Sequence, residues 1–428
     1  MGRSGSAELP LHYGRVPPWL SSRMASLGRV ITEAIVLEYG RDEYFRRLAH
    51  PGWFQAFGAV MGMDWHSSGI TTSVLGALKR GLAPVEWELG VHVCGGRGRE
   101  SRKTPGELEV LGERLGIDGT SLASVSRLVA KVDGSAVQDG YALYLHGFIV
   151  ADDGSWVVVQ QGMNETARTA RRYHWLGEGL ESFVNAPHAA IDGVPNPEPI
   201  INLTDSRAAP ARDAQVALVR EGPDAVVRAL RSRGSPWVAA RAESLRFPFH
   251  HEVRAEDVMG RRLHAAIAAA HARGPIDFAE LLLTPGVGAR TVFALALAGE
   301  VVHGAPARFR DPARYSLAHG GKDGHPYPVP RRVYDETIRV LSQAVSRAKL
   351  GQGDKLSAIR RLDAEARRLE RTARTTDVDA FVEREWDRSP EWDGMTVMGP
   401  AAAVRSRVRG APHMPEPDRE QLVLPLIA

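Results

Sequence analysis

Carboxylates, imidazoles and amides recur in the first half of the chain inside otherwise apolar stretches, and their types and spacing suit work on phosphate. Asp64 and His66 are one residue apart, so an extended segment sets both on one side. Asp133 and Asp139 lead into a long apolar run that carries His146, and Gln161 follows in its continuation. His174 and His188 lie further on. Oxygen-rich donor sets with some imidazole suit Mg²⁺ or Mn²⁺. Such an ion activates water and stabilises charge on phosphate, which is what phosphodiester cleavage needs. The expected metal ligands are therefore Asp64, His66, Asp133, Asp139 and His146. The expected catalytic set is Asp133, Asp139, His146 and Gln161, with Lys131; Lys131, Arg171 and Arg172 are cations able to neutralise a phosphate. Each residue also has a plainer reading, since an isolated Asp or His in a turn is more often a cap or a surface group.

The elements that must position these groups can be read from periodicity. "YALYLHGFIV" and "WVVVQQGM" flank Asp152-Asp153-Gly154-Ser155, which reads as a β-hairpin. With Asp153-Gly154 as a two-residue turn, His146 falls opposite Gln161, Phe148 opposite Val159 and Val150 opposite Val157, all on one face. Residues 17–50 and 69–82 carry helical spacing. Thr104-Pro105-Gly106-Glu107 reads as a helix start with Thr104 as N-cap and Glu107 three residues on. Restriction-like nucleases put Glu-x-Lys, or sometimes Gln-x-Lys, on a neighbouring strand, but Gln160-Gln161-Gly162 has no lysine at that spacing. The basic loop around Arg97 and Arg99 lacks the Gly-Lys-Ser/Thr ending of a Walker A motif, although phosphate contact by it is expected.

"LLLTPGVGARTVFALALAG" (281–299) joins two apolar helices through a turn with two glycines. Gly286 and Gly288 permit close approach of a phosphate, the second helix start supplies amide donors, and Arg290 and Thr291 stand beside it. The pattern resembles the helix–hairpin–helix modules of DNA repair proteins, which hold backbone without reading sequence. Some proteins with that module are base-excision glycosylases, for which Asp311 is the possible counterpart of the catalytic Asp. The spacing after Gly288 is longer than in that family, and Arg290 and Thr291 occupy the stretch where its bifunctional members carry a hairpin lysine. A mere inter-helix turn is the bland alternative. Lys322, in the Gly-rich loop 319–325, extends the expected DNA surface.

The last residues, "QLVLPLIA", present Gln421, Leu422, Leu424 and Leu426 after a Pro-rich polar stretch. They resemble the peptide by which bacterial replication and repair proteins bind the β sliding clamp. Seven longer strings resemble the prokaryotic domain-of-unknown-function family 763: "MDWHSSGITTSVLGALKRGL", "VCGGRGRESRKTPGEL", "AKVDGSAVQDGYALYLHGF", "VVVQQGMNETARTARRYHWL", "APHAAIDG", "PGVGARTVFALALAGEV" and "RDPARYSLAHGGKDGHPYPV". That resemblance covers about residues 3–345 and implies no established activity.

The chain has 428 residues and a net charge of only +3, from 54 basic and 51 acidic side chains, which excludes a wholly basic nucleic-acid coat. One cysteine, Cys94, excludes an internal disulfide framework and suits a reducing compartment. No apolar run is long enough for a membrane span, and the opening stretch MGRSGSAELPLHYGR is expected to hold no apolar signal-peptide core. The expected architecture is α+β. A mixed domain (1–205) with a β-hairpin precedes a helical domain (211–345) carrying the helix–hairpin–helix. A basic helix (346–387) and a flexible tail (388–428) follow. The expected protein is cytoplasmic and nucleoid-associated, with DNA and the β sliding clamp as partners and no membrane. Its expected role is a metal-dependent nuclease of repair or replication. A DNA glycosylase and a non-catalytic DNA-binding adaptor are the alternatives.

Overall fold

The computed structural model describes residues 9–10, 16–63, 68–167, 169–231, 261–313, 329–330, 386–387, 389–396 and 399–401. Those up to Ala313 belong to one compact unit, and those from Val329 onward to a second. In the second unit, Val329–Pro330, Gly394–Thr396 and Gly399–Pro400 pair as a small antiparallel sheet.

The first unit is built on an antiparallel sheet. Its strands are β1 (Leu9–Pro10), β2 (Val91–Arg97), β4 (Ala142–Ala151), β5 (Trp156–Asn164) and β6 (Thr169–Leu176), in the order β1-β6-β5-β4-β2, with β7 (Ala190–Asp192) also on β6. A second small sheet joins β3 (Val137–Gln138), β8 (Ile200–Asn202) and β9 (Arg308–Phe309). The helical face expected over 17–50 forms α1 (Pro18–Ala49), interrupted at Gly40. It is followed by α2 (Pro51–Val60) and α3 (Gly69–Leu82), the latter with the bounds its periodicity predicts.

The hairpin exists, but its register differs from the two-residue-turn expectation by one. Ala151 donates to the Ser155 carbonyl, and Gly154 donates back to Ala151. The loop is therefore the three residues Asp152-Asp153-Gly154, with Gly154 at φ 82°. This is a type I turn closed by a left-handed glycine, which matches the strand twist without a two-residue turn. His146 thus faces Gln160, Phe148 faces Val158 and Val150 faces Trp156. A one-residue slip exchanges faces, so Gln161 leaves the face that holds His146.

Strand alternation divides the chemistry between two layers. Cys94, Phe148, Val150, Val158, Tyr173 and Trp175 pack with Leu108, Leu111, Leu122 and Val129 of α5 (Thr104–Leu115) and α6 (Gly119–Lys131). Gly147 lies against Leu75 of α3, and His174 against Leu48 of α1 and Phe54 of α2, on the opposite face. Full burial of each large aliphatic or Phe side chain here contributes roughly 1.5–3 kcal/mol. The helices α7 (Ala209–Glu221), α8 (Pro223–Arg231), α9 (Arg261–Arg273), α10 (Phe278–Leu283) and α11 (Ala289–His303) extend the α5–α6 core without a break. The mixed and helical halves therefore share one hydrophobic cluster. The predicted Thr104 cap does not form: Thr104 donates to the Ser101 carbonyl, and Glu107 instead takes Lys79 and the Gly95 amide. Glu107 thereby ties α5 to β2 rather than closing its own helix. Among the described residues no helix is long and apolar enough to cross a membrane.

Candidate functional site

α6 passes into a one-turn π-helix, Val132–Ala136, before β3. A π-turn carries its residues round in a wider step, and such bulges are frequent at functional sites. Here it sends Lys131 and Asp133 in different directions.

Asp133 points to the sheet and is fully buried. Its Oδ2 accepts from Gln160 Nε2 at 2.5 Å and from the Trp175 indole at 2.9 Å. Its Oδ1 lies 2.5 Å from His188 Nε2. Gln160 continues the chain, because its Oε1 meets His146 Nδ1 at 2.7 Å, and His146 Nε2 meets Ser126 Oγ at 2.9 Å. Burial is the main cause that lowers the His146 pKa, so the ring is neutral, with its proton on Nδ1 and Nε2 accepting from Ser126. Ser126, His146, Gln160 and Asp133 thus form one linear hydrogen-bond chain. The His188 side chain completes the group and is itself only 6% exposed. Its ring packs 4.5 Å from that of Trp175, and Asp133 fixes its Nε2, leaving Nδ1 without a hydrogen-bond partner among the described residues.

Asp139 belongs to a different cluster. Its Oδ2 accepts from Arg171 at 2.9 Å and Tyr173 at 2.6 Å, and its Oδ1 from the Tyr141 amide. Arg171 also forks onto Asp311 with two 3.0 Å bonds, and Asp311 accepts further from Asn196 and the Ala313 amide. Burial opposes the charge on Arg171, but the two carboxylates outweigh it and raise its pKa; the Tyr141 ring lies 4.5 Å beneath. Burial likewise raises the Asp139 pKa, with Arg171 pulling against it. The fork geometry and two facing carboxylates favour a charged, fully enclosed Arg171.

Gln161 sits on the other face, held by Thr71, by the Ser68 carbonyl at 2.9 Å and by Tyr144 at 2.5 Å. Arg172 is enclosed with it by Thr71, Gln55 and Asp192. The predicted catalytic and metal set is therefore not one constellation. A divalent ion needs several lone pairs aimed at one point. Those of Asp133, Asp139 and His146 are turned to protein donors in two separate clusters. Among the described residues no group of three or more His, Cys, Asp or Glu is arranged to hold a metal. These residues do not fit a Mg²⁺ or Mn²⁺ site. Asp64, His66, Lys322, Gln421, Leu422, Leu424 and Leu426 lie outside the described residues.

Lys131 turns the opposite way, toward the turn between α10 and α11. Its ammonium donates to the Val287 carbonyl, and no carboxylate faces it among the described residues. Burial lowers its pKa. Gln138, at the end of the same segment, donates to the Ala289 carbonyl at 2.9 Å. Val287 is buried and anchors the turn, while Pro285 and Gly286 are exposed and Gly286 takes φ 86°. Gly288 caps α11 with no side-chain bond, so the first-turn amides remain unsatisfied donors. Arg290 is exposed beside them, whereas Thr291 is buried. Arg97 and Arg99 are exposed at the end of β2.

Sequence reasoning named His188 only as one of several possible ligands and missed Trp175 altogether; an apolar strand residue gives no signal of a buried carboxylate partner. A family model described as a protein of unknown function, DUF763, matches residues 5–329. No curated protein and no solved structure matches.

Proposed function

The chain belongs to the DUF763 family, and we propose that it is a DNA-processing protein of repair or replication which holds the nucleic-acid backbone at the turn between α10 and α11. One observation carries this reading: the half-buried Lys131 ammonium, with no carboxylate partner among the described residues, is fixed against that turn. A cation in partly low-dielectric surroundings invites an anion. Beside it stand the unsatisfied amides of a 15-residue helix and the exposed Arg290, a ready phosphate seat. The turn would then act as a helix–hairpin–helix, positioning DNA without reading its sequence.

Gly288 supplies a direct test. Its φ is −151°, and a Cβ built on it meets nothing within 4 Å. The fold does not require glycine there, but a phosphate seated on the amides would. Gly288→Ala should keep its thermal midpoint and lose roughly tenfold in affinity for labelled duplex DNA. Unchanged DNA affinity would remove the turn from the interface.

Phosphodiester cleavage is a second reading, favoured by the Asp133–His188 pair on the segment that holds the turn. His188 Nδ1 is free to take a proton from water, with Asp133 orienting the ring. Incubating labelled single-stranded, duplex and branched DNA with Mg²⁺, Mn²⁺ or EDTA, beside His188→Gln, tests it: intact substrates throughout would leave a DNA-binding adaptor. A glycosylase relying on Asp311 is less favoured, since both its oxygens are bound by Arg171, Asn196 or Ala313. For recruitment, Gln421, Leu422, Leu424 and Leu426 are proposed to bind the bacterial β sliding clamp, and deleting 421–428 should abolish clamp pull-down.

A further inference from the structure

At the β2 edge of the sheet, beside α5, lies a cleft of about 660 Å³, within the range of small-ligand sites. One wall is the short helix α4 (Glu86–Leu89), the other is α5, and β2 forms the floor. Two large apolar side chains at its rim are exposed rather than packed: Trp87 at 50% and Val110 at 53%. The Trp87 indole is not loose. It meets the His92 ring in a T-shaped contact at 4.9 Å, and His92 is itself fixed by Asp152 at 2.8 Å. At the floor, His92 Nδ1 is buried with no hydrogen-bond partner and is 3.8 Å from the Glu86 carboxylate.

Glu86 places one carboxylate at the cleft, beside His92, and the cations around it sort into paired and unpaired ones. Lys79 is matched by Glu107 at 2.9 Å and Lys103 by Glu100 at 2.7 Å. Arg102 and Arg114 are exposed and have no carboxylate partner among the described residues. A fixed aromatic ring and two unmatched guanidiniums together describe a ligand that is flat and apolar at one end and anionic at the other. We propose that this cleft binds one nucleotide unit, its base stacked on Trp87 and its phosphate held by Arg102 at one end of α5 or Arg114 at the other. The site is separate from the backbone grip at Gly288 and rests on none of the same residues. Guanidiniums suit the phosphate because they can donate in pairs to its oxygens. Stacking on an aromatic ring accepts any base, so a nucleotide within a single strand and a free nucleotide share this chemistry.

The test is isothermal titration of the full chain with dAMP, deoxyadenosine and 5′-phosphorylated tetrathymidylate. At least one phosphorylated probe should bind, and deoxyadenosine should bind more than tenfold more weakly than dAMP if dAMP binds. Trp87→Leu should weaken binding by roughly tenfold, the scale of one lost base stack. Arg102→Gln/Arg114→Gln should weaken it similarly and flatten its salt dependence. These side chains are exposed, and circular dichroism checks that both variants fold. Binding of dAMP identifies a free-nucleotide site, whereas binding of the tetramer alone identifies a strand site. Failure of both phosphorylated probes to bind overturns the proposal, as does wild-type affinity in either variant. Gly288→Ala should leave these titrations unchanged, so the fate of the backbone-grip reading is read separately from duplex affinity.

Discussion

Replacing Lys131 with Met separates binding from stability in a way that a structural lysine would not. The side chain is half-buried, its ammonium donates only to the Val287 carbonyl, and burial has already lowered its pKa. Losing that hydrogen bond costs about 0.5–1.5 kcal/mol, and removing a poorly solvated charge offsets some of this. The net change in stability should stay within about 1 kcal/mol, a few degrees at most in the thermal midpoint. Binding should change far more. A charge-assisted bond to phosphate contributes about 1.5–3 kcal/mol, so affinity should fall at least tenfold. Each neutralised phosphate adds about 0.9 to the slope of log K against log salt; between about 50 and 200 mM the variant should therefore lose roughly 3.5-fold less affinity than the parent. Fluorescence anisotropy of a labelled duplex across that salt range measures both quantities. Lys131→Arg should retain the slope. The pH dependence has a definite sign. Phosphate binding requires the protonated ammonium, so affinity is full below the lowered pKa of Lys131 and declines as pH rises through it. Stability moves the other way, since the unfolded chain holds that proton longer, and so it rises with pH over the same window. A Lys131→Met protein with unchanged affinity and salt slope would refute the phosphate role of this residue. A protein that unfolds would show that Lys131 is mainly a strut for the turn.

Three other outcomes are expected. Gly286→Ala forces a Cβ into the left-handed region at φ 86° and should cost about 1–2 kcal/mol by urea unfolding, with no steric contribution because its nearest neighbour is 3.6 Å away. Arg171→Met strands the Asp139 and Asp311 carboxylates in the core and should cost about 3–5 kcal/mol; adding Asp139→Asn and Asp311→Asn should recover part of it, and no recovery would contradict the charge pairing of Arg171 with these two carboxylates. Burial lowers the folded pKa of His146 and of His174, in the latter helped by Arg172, so the unfolded chain takes protons first as pH falls below about 6.5. The urea midpoint should therefore drop between neutral pH and the lower pH of these folded groups, and a flat profile would count against neutral buried rings.

Much of the local structure was legible because it depends on neighbours in sequence. The α3 helix carries its apolar stripe within 14 residues, and the hairpin announces itself through alternation and a turn cluster. The register was not legible, because Asp152-Asp153-Gly154 admits two turns and only pairing across the sheet chooses between them. That single residue decides the chemistry: it links His146 to Gln160 and Asp133 and sends Gln161 to the opposite layer. The grouping of Asp133 with Asp139 failed for a related reason. Six positions apart, they are divided by a π-turn that aims one at Trp175 and the other at Arg171. Asp311 reaches Arg171 across 140 residues, a contact no local pattern encodes.

The π-turn also couples the buried hydrogen-bond chain to the exposed turn. Lys131, Asp133 and Gln138 lie within eight residues, yet their side chains reach the turn, the sheet and the turn again. Asp133 holds this segment to Gln160, Trp175 and His188, in a core where side chains have little freedom to shift. Lys131 and Gln138 then hold the carbonyls of Val287 and Ala289, which fixes the direction in which the amides of Gly288 and the first turn of α11 face. A donor array oriented before its ligand arrives avoids the ordering cost a loose loop would meet on binding. On this reading the buried carboxylate acts on DNA affinity at a distance, through the orientation of the turn. His188→Gln, which keeps a donor for Asp133, should then spare duplex binding even where it removes cleavage.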